Sequence, residues 1–521
     1  MASQPSLTAE PAPELATEPD GLISGRLLPI VAIVLAMSNF MVILDLTITN
    51  VSVPSIAGSL GVSTDESTWI ITSYAVAEAI CVPLTGWLAL RFGSLRTFIV
   101  CLAGFGLFSF LCGTSTSLAQ IVICRIGQGL CGGPIMPISQ ALMLRAFPID
   151  KRNAALGLWV VTLLIGPALG PILGGWLTDT YSWHWIFLIN IPVALGCIVG
   201  AYTLLQPAET PRVKVPIDRI GLGLLVFWIG CLQVMLDIGR NHDWFTDWRI
   251  VTLAGCSLTS FVTFVIWELT EEHPVVDLRV FRHFGYSVGV VTMALVYGAY
   301  FAGVVVIPQW LQIDQGYSAQ QAGLITAYSA LSAMAMAPIV SKLIGKIDTR
   351  LMVSGGAIWF GMTTLMRAYW TSDSDFWTLA MPQILQGFAF PFVLLPLTAT
   401  TLGFLPSDKT ASGAGLQNFL RTMAVAFATS IILTVWGNAQ RVALTDIANR
   451  LQPSPTQHVL SGAGFDPQQI PYVIGNLVNR EAMAVGINQT FVDCAVVLFI
   501  AAAVVWFMPT AKGTPPSPPL H

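Results

Sequence analysis

The sequence predicts an all-α membrane protein of fourteen transmembrane helices, built as two six-helix halves with an extra helix pair inserted between them. Three observations carry that prediction. Only 10% of the 521 residues are Asp, Glu, Lys or Arg while 54% are hydrophobic, against roughly 25% charged in a soluble domain; a chain this poor in charge cannot cover a water-facing surface. Apolar runs of the ~20 residues that a hydrocarbon core requires recur from one end to the other. Segments of the first half are echoed in the second at nearly constant separation.

Taken in order, apolar runs between charged or Pro/Gly/Asp-rich breaks mark helices near 27–51, 68–90, 96–114, 117–143, 154–178 and 185–205. These form the first half, 27–205. A pair follows near 220–238 and 250–268, the inserted unit 220–268. The second half, 285–509, holds helices near 285–312, 321–342, 351–371, 377–402, 411–436 and 489–509. Residues 1–26 are rich in Pro, Ala, Ser and Glu, with no cationic stretch before a short apolar one, and read as a disordered cytoplasmic tail; 510–521 read as a second. Segment 437–488, with its Gln, Asn, Pro and Gly, reads as one long periplasmic loop.

Orientation follows from Lys and Arg, which collect in cytoplasmic loops. With the amino terminus inside, 16 of 24 basic residues fall on that side, while Arg240, Arg249, Arg367, Arg441, Arg450 and Arg480 fall outside. Both termini are therefore expected in the cytoplasm. Trp244 and Trp248, in the outer turn of the inserted pair, read as interfacial anchors.

The repeat runs in parallel. TWIITSYAVAEAICVPLTGWLALRFGSLR from Thr68 is echoed by AGLITAYSALSAMAMAPIVSKLIGKIDTR from Ala322, pairing Tyr74 with Tyr328, Pro83 with Pro338 and Arg96 with Arg350. RIGQGLCGGPIMP from Arg125 is echoed by QILQGFAFPFVLLP from Gln383, pairing Gln128 with Gln386 and Gly129 with Gly387. Two such halves of like orientation enclose a central cavity at their interface.

Charge inside the bilayer is costly and usually faces a cavity or a partner. Asp45 shares one helix face with Ser38, Thr49 and Ser52, and that stripe is expected to point toward the cavity. Arg125 shares a side with Gln128 and Gly129, and in a fold where the first and fourth helices of a half both border the cavity an Asp45–Arg125 pair or water-bridged contact is expected. Two readings of that pair stand: a proton exchanger whose acid is tuned by the cation, or a static salt bridge that pins helices. Glu78, isolated mid-helix, competes as the proton carrier. Gln128, Gln386 and Arg421 are the candidates for lining the cavity. The nine cysteines show no CxxC pair and the six histidines no metal-ligand spacing, so no metal or cofactor is expected. An enzyme is not expected, and no G-x-x-x-x-G-K-[ST] stretch offers ATP as the drive.

Several stretches together resemble the major facilitator superfamily, and within it the fourteen-span drug:proton antiporters of the EmrB/QacA type, most of all the EmrB side. They are LDLTITNVSVPSIAGSLG from Leu44, GWLALRFGSLR from Gly86, CRIGQGLCGGPIMP from Cys124, GPALGPILGGWLTD from Gly166, WHWIFLINIP from Trp183 and LDIGRNHDWF from Leu236. The resemblance implies proton-coupled efflux of small amphipathic compounds across a bacterial inner membrane by alternating access. A dedicated metabolite or siderophore transporter on the same fold is the alternative. It implies that Gly166, Pro167, Gly170, Pro171, Gly174 and Gly175 form the exporter motif of the fifth helix, and that Gly86, Arg91, Gly93 and Arg96 form the cytoplasmic gate loop. That loop departs from the family pattern, with Leu90 where an Asp is usual and Ser94 where a basic residue is usual. The resemblance also implies a periplasmic adaptor protein and a TolC-type outer-membrane channel as partners, beside membrane lipid, with protons as the coupling ion.

Overall fold

The computed structural model describes residues 23, 25–67, 69–213, 216–239, 244–272, 274–406, 409–450, 466 and 468–509. The tails expected at 1–26 and 510–521 lie almost wholly outside them. The first half holds α1 (Leu28–Leu60), α2 (Trp69–Phe92), α3 (Ser94–Gly113), α4 (Leu118–Gly132 continued by Ile135–Ala146), α5 (Ile149–Thr180) and α6 (Trp185–Leu188 continued by Asn190–Leu204). The inserted pair is α7 (Arg219–Ile238) and α8 (Trp248–Thr270). The second half holds α9 (Phe284–Ile313), α10 (Ala319–Leu343), α11 (Thr349–Met366), α12 (Phe376–Gly403), α13 (Thr410–Arg450) and α14 (Ile470–Val504).

Among the described residues twelve helices are long and apolar enough to cross a membrane, and α5 is a thirteenth when its two arms, bent by 47°, count as one span. The bend falls at Pro167–Pro171, where two prolines remove backbone donors and crowd the preceding turn. The fourteenth, α11, has 18 residues and is wedged between α12 and α14. Val100, Ile123, Val199 and Leu258 are exposed on the outer faces of their helices, as lipid-facing side chains must be, so the chain is a multi-pass membrane protein.

The two halves repeat the same packing. α1 packs on α5 as α9 does on α13; α2 on α4 as α10 on α12; α3 on α4 and α6 as α11 on α12 and α14. The sequence echo has a physical cause at Gly129 and Gly387. A Cβ there would lie 2.9 Å from that of Ala77 and 2.6 Å from that of Ser332, so only glycine lets α4 meet α2 and α12 meet α10 at this range. The halves meet along two matching seams, α5 with α10 and α2 with α13. The inserted pair lies over the second seam: α7 touches both α2 and α13, and Ser430 of α13 donates to the Leu236 carbonyl of α7 at 2.8 Å.

Two expectations need correction. The segment 437–488 is helical at both ends, because α13 continues to Arg450 and α14 begins at Ile470. Stretches such as NAQRVALTDIANR are rich in helix formers yet too polar to register as membrane spans, so hydropathy alone placed the boundaries too far inward. Trp248 is 72% exposed, as an interfacial anchor should be, whereas Trp244 is half-buried over Gly239.

Candidate transport site

α1, α3 and α6 each contribute one polar side chain, and α4 two, to a single buried network in the first half. The Asp45 carboxylate accepts from Arg125 Nη1 at 2.5 Å on Oδ2, and from Gln128 Nε2 at 2.9 Å and Asn190 Nδ2 at 2.7 Å on Oδ1. Arg125 also donates through Nε to the Ile70 carbonyl at 3.0 Å and through Nη1 to Gln128 Oε1 at 2.8 Å. Ser109 accepts from Gln128 and Asn190 and donates to the Phe187 carbonyl at 2.9 Å. The guanidinium lies over the Tyr74 ring, 4.1 Å from its centroid, an arrangement that favours the cation. Asp45 is 0% and Arg125 1% exposed. The expected pair is thus made, and its charges are shielded by a full set of hydrogen bonds, as a buried ion pair requires.

Its direction differs from expectation. Asp45 faces α6 rather than the seam between the halves: it accepts from Asn190 of α6, which also donates to Ser109 of α3. A helical wheel places Asp45 on a polar stripe but cannot say which neighbours the stripe meets. Ser38 and Thr49 bond back to carbonyls of α1 itself.

The glycine stripe of α5 grips the adjacent side of α1. A Cβ at Gly170 would lie 3.0 Å from the Thr47 carbonyl carbon, and one at Gly174 would lie 3.1 Å from the Ile48 oxygen. Thr47 donates across this contact to the Gly166 carbonyl at 3.2 Å. Gly166 meets Ile43, and Gly175 is buried one residue beyond Gly174. Pro167 instead faces the second half, where it lines a narrow cavity with Tyr300 and Gln386. The side chain of Pro171 lies outside the described residues.

The seam between α2, α4, α9 and α13 holds a second polar layer. Asn418 of α13 donates to Gln140 of α4 at 3.1 Å. Arg421 reaches the Met136 sulfur at 3.0 Å and lies 5.2 Å from the Tyr297 ring centroid. Glu78 is buried in α2, and Arg421 is the strongest charge acting on it, ahead of Arg125 and Asp45. Among the described residues its carboxyl takes no hydrogen bond.

On the basic face, Gly86 lies at the seam with Ser412 of α13 the nearest side chain. Gly93, with φ of 92°, turns the chain into α3. The amino terminus of α3 is closed by Glu209, whose carboxylate accepts from the Leu95 N–H at 3.1 Å and the Arg96 N–H at 3.3 Å. A carboxylate at a helix amino terminus meets both the free donors and the dipole, so Glu209 supplies the acid that the loop lacks at Leu90. The Arg91 guanidinium lies 5.6 Å from the Trp87 ring centroid, and Arg96 is exposed.

In the second half the counterpart of the Asp45 network has a different charge. Arg367, counted by the sequence among outer residues, is 2% exposed. It directly follows the apolar run of α11, which was the available signal for its burial. It donates to Gln383 Oε1 at 3.0 Å and lies 5.8 Å from the Phe491 ring centroid. Gln386 is buried beside it on α12. Asn190, Glu209 and Arg367 are the site residues that sequence reasoning missed, because each acts through a helix distant in sequence.

Two like-oriented six-helix halves, polar residues buried at their seam and a gripping glycine stripe define a membrane transporter. The Major Facilitator Superfamily model matches residues 35–429, and the chain belongs to that family. Over 491 residues it is 38% identical to the Multidrug export protein EmrB of Escherichia coli (strain K12), covering 93% of this chain and 96% of that one. It is 36% identical over 504 residues to the Fatty acid resistance protein FarB of Neisseria gonorrhoeae, covering 96% and 98%. Its fold is similar to that of the human organic anion transporter MFSD10, with TM-score 0.57 at 15% identity, covering 92% of this chain and 98% of that one.

Proposed function

We propose that this protein is a proton-coupled exporter of small amphipathic compounds, working by alternating access in a bacterial inner membrane with both termini in the cytoplasm. The relatives' names, multidrug export and fatty acid resistance, support export of varied compounds over one dedicated metabolite. The observation that carries the coupling is Glu78, a buried acid on the α2–α13 seam with Arg421 as its dominant charge partner. A carrier must change exposure as the halves rock, and a seam residue does so; Asp45, enclosed by α3, α4 and α6, does not. In this reading Glu78 moves the proton and Asp45–Arg125 is the brace that keeps the first half rigid. Substrate and proton then alternate for the seam, since loading an amphipathic molecule beside Arg421 changes the field at Glu78.

The outer ends of α13 and α14 are the proposed docking surface for a periplasmic adaptor leading to an outer-membrane channel. α13 has 41 residues, about 60 Å at ~1.5 Å per residue, roughly twice the ~30 Å hydrocarbon core. The test of function uses everted membrane vesicles carrying an established pH gradient. Adding a lipophilic drug should collapse the gradient with the wild type and not with Glu78→Gln. A collapse that survives in Glu78→Gln would refute the carrier assignment, and no response to any drug in vesicles holding folded protein would refute multidrug antiport.

A further inference from the structure

Arg367 is a buried guanidinium with no ion-pair partner among the described residues. Among the described residues its one hydrogen-bond partner is Gln383, a neutral amide, and its Nε donor has no partner. Two further polar atoms nearby are also unpaired, Gln383 Nε2 and Gln386 Oε1. All three residues line one narrow cavity with Tyr300 and Ser329. Arginine cannot shed its charge in a protein interior. A cation taken from water and left unpaired is strongly unfavourable, and the ring of Phe491 offsets only part of that cost. The first half shows what completes such a site: Arg125 stands over the ring face of Phe187, also at 5.8 Å, and is neutralised by Asp45. In the second half α9 offers Tyr300 and no acid.

The geometry points to a carboxylate-binding site at Arg367: we propose that it receives the carboxylate of an amphipathic weak acid on its way through the protein. Arginine's fork of donors matches a carboxylate in two-point contact, and Gln383 Nε2 supplies a third donor. Gln386 Oε1, an acceptor, selects against a second anionic oxygen and for a neutral donor on the ligand. Access comes from the seam, because Pro167 of α5, in the opposite half, forms one wall of the cavity. Opening of the α5–α10 seam would therefore expose the guanidinium to the transport path, and closing would bury the bound acid against it. The ligand's source rests on the exporter reading, whereas the site itself does not.

The test is equilibrium binding to the purified full-length protein in detergent, in a low-salt zwitterionic buffer free of carboxylates and with no gradient, so it reads the site whether or not the protein exports. The probes are naphthoate and its neutral isostere naphthamide, followed by the fluorescence of the stacked pair Trp310 and Trp370, the latter 5.3 Å from the Phe491 ring centroid. Wild type should prefer the acid by about tenfold or more, the worth of a charge-assisted hydrogen-bond pair. Arg367→Gln should bring the ratio near unity, and Arg367→Lys should restore part of it. Size-exclusion and melting profiles separate lost preference from lost fold. An acid-to-amide ratio near unity in wild type, which needs no variant, would overturn the proposal, as would a preference that survives in folded Arg367→Gln. Adding chloride distinguishes the sources: unchanged naphthoate affinity fits a substrate carboxylate, while chloride that abolishes the preference at equal occupancy would assign the site to a small inorganic anion and overturn the substrate assignment.

Discussion

The two halves of this protein share one packing scheme and differ in how they treat a buried arginine. In the first half Arg125 of α4 meets Asp45 of α1, and every polar atom of the carboxylate finds a donor. In the second half the arginine has moved to the end of α11, α12 offers Gln383 and Gln386, and no acid answers it. Both guanidiniums stand over a phenylalanine of the last helix of their half. A duplicated frame thus carries a neutral, closed network on one side and an open cationic one on the other. The closed network suits a rigid brace and the open one a place where something charged comes and goes.

The comparison can be broken most forcefully at Arg125. Arg125→Ala leaves Asp45 buried with no cation and should cost roughly 3–5 kcal/mol, seen as a large fall in melting temperature and folded yield. Removing both charges in Asp45→Asn/Arg125→Gln should recover much of it; a single variant as stable as wild type would show that the network braces nothing. Next comes Gly170→Leu, which drives a side chain into the Thr47 backbone and should cost roughly 1–3 kcal/mol by overpacking. It should abolish efflux in cells while the protein still inserts, and full activity would show that α1 and α5 need not touch. Arg367→Leu should act with the opposite sign to Arg125→Ala, raising the melting temperature in the absence of ligand, because it removes an unpaired buried cation. A drop as large as that of Arg125→Ala would mean that Arg367 is paired after all.

Smaller effects sharpen the edges of the comparison. Glu209→Gln removes the charge at the α3 amino terminus and should cost about 0.3–1 kcal/mol, measurable as a modest shift in melting temperature. At the carboxyl end of α9, Asp314 follows the helix with Arg480 at 3.8 Å. Burial pushes its carboxyl up to about 6, Arg480 pulling it down only partly. An acid raised above its ordinary value of about 3.9 stabilises the fold fully below that value, and the contribution fades as pH rises through about 6. Asp314→Asn should therefore match wild type near pH 4 and melt above it at neutral pH. An equal difference at both would discard the burial argument.

Much of this was legible in the sequence. Apolar length gave the helices of both halves, the Gly129–Gly387 echo located equivalent contacts, and Asp45 could be paired with Arg125 once the resemblance set the first and fourth helices beside one cavity. What stayed hidden depended on rotation and distance. Spacing puts Asp45 on a stripe, but only the packing of α1 against α6, with Asn190 on it, decides that the stripe turns away from the seam. Asn190, a lone amide in an apolar run, gives no sign of its target. Glu209 lies in the linker after α6 and reaches α3 only because the chain folds back. Arg367 followed the positive-inside count to the wrong side of the boundary, since a count of charges cannot see that α12 and α14 close over it. The polar, helix-forming ends of α13 and α14 escaped for the converse reason: hydropathy finds membrane, not helix.

The most direct test of the division between brace and carrier is proton release from purified protein in weakly buffered detergent solution, read with a pH indicator as a lipophilic drug is added. Wild type and the folded double variant Asp45→Asn/Arg125→Gln should both release protons on binding, and Glu78→Gln should release none. Release that persists in Glu78→Gln and vanishes in the double variant would place the proton on Asp45 and contradict the account.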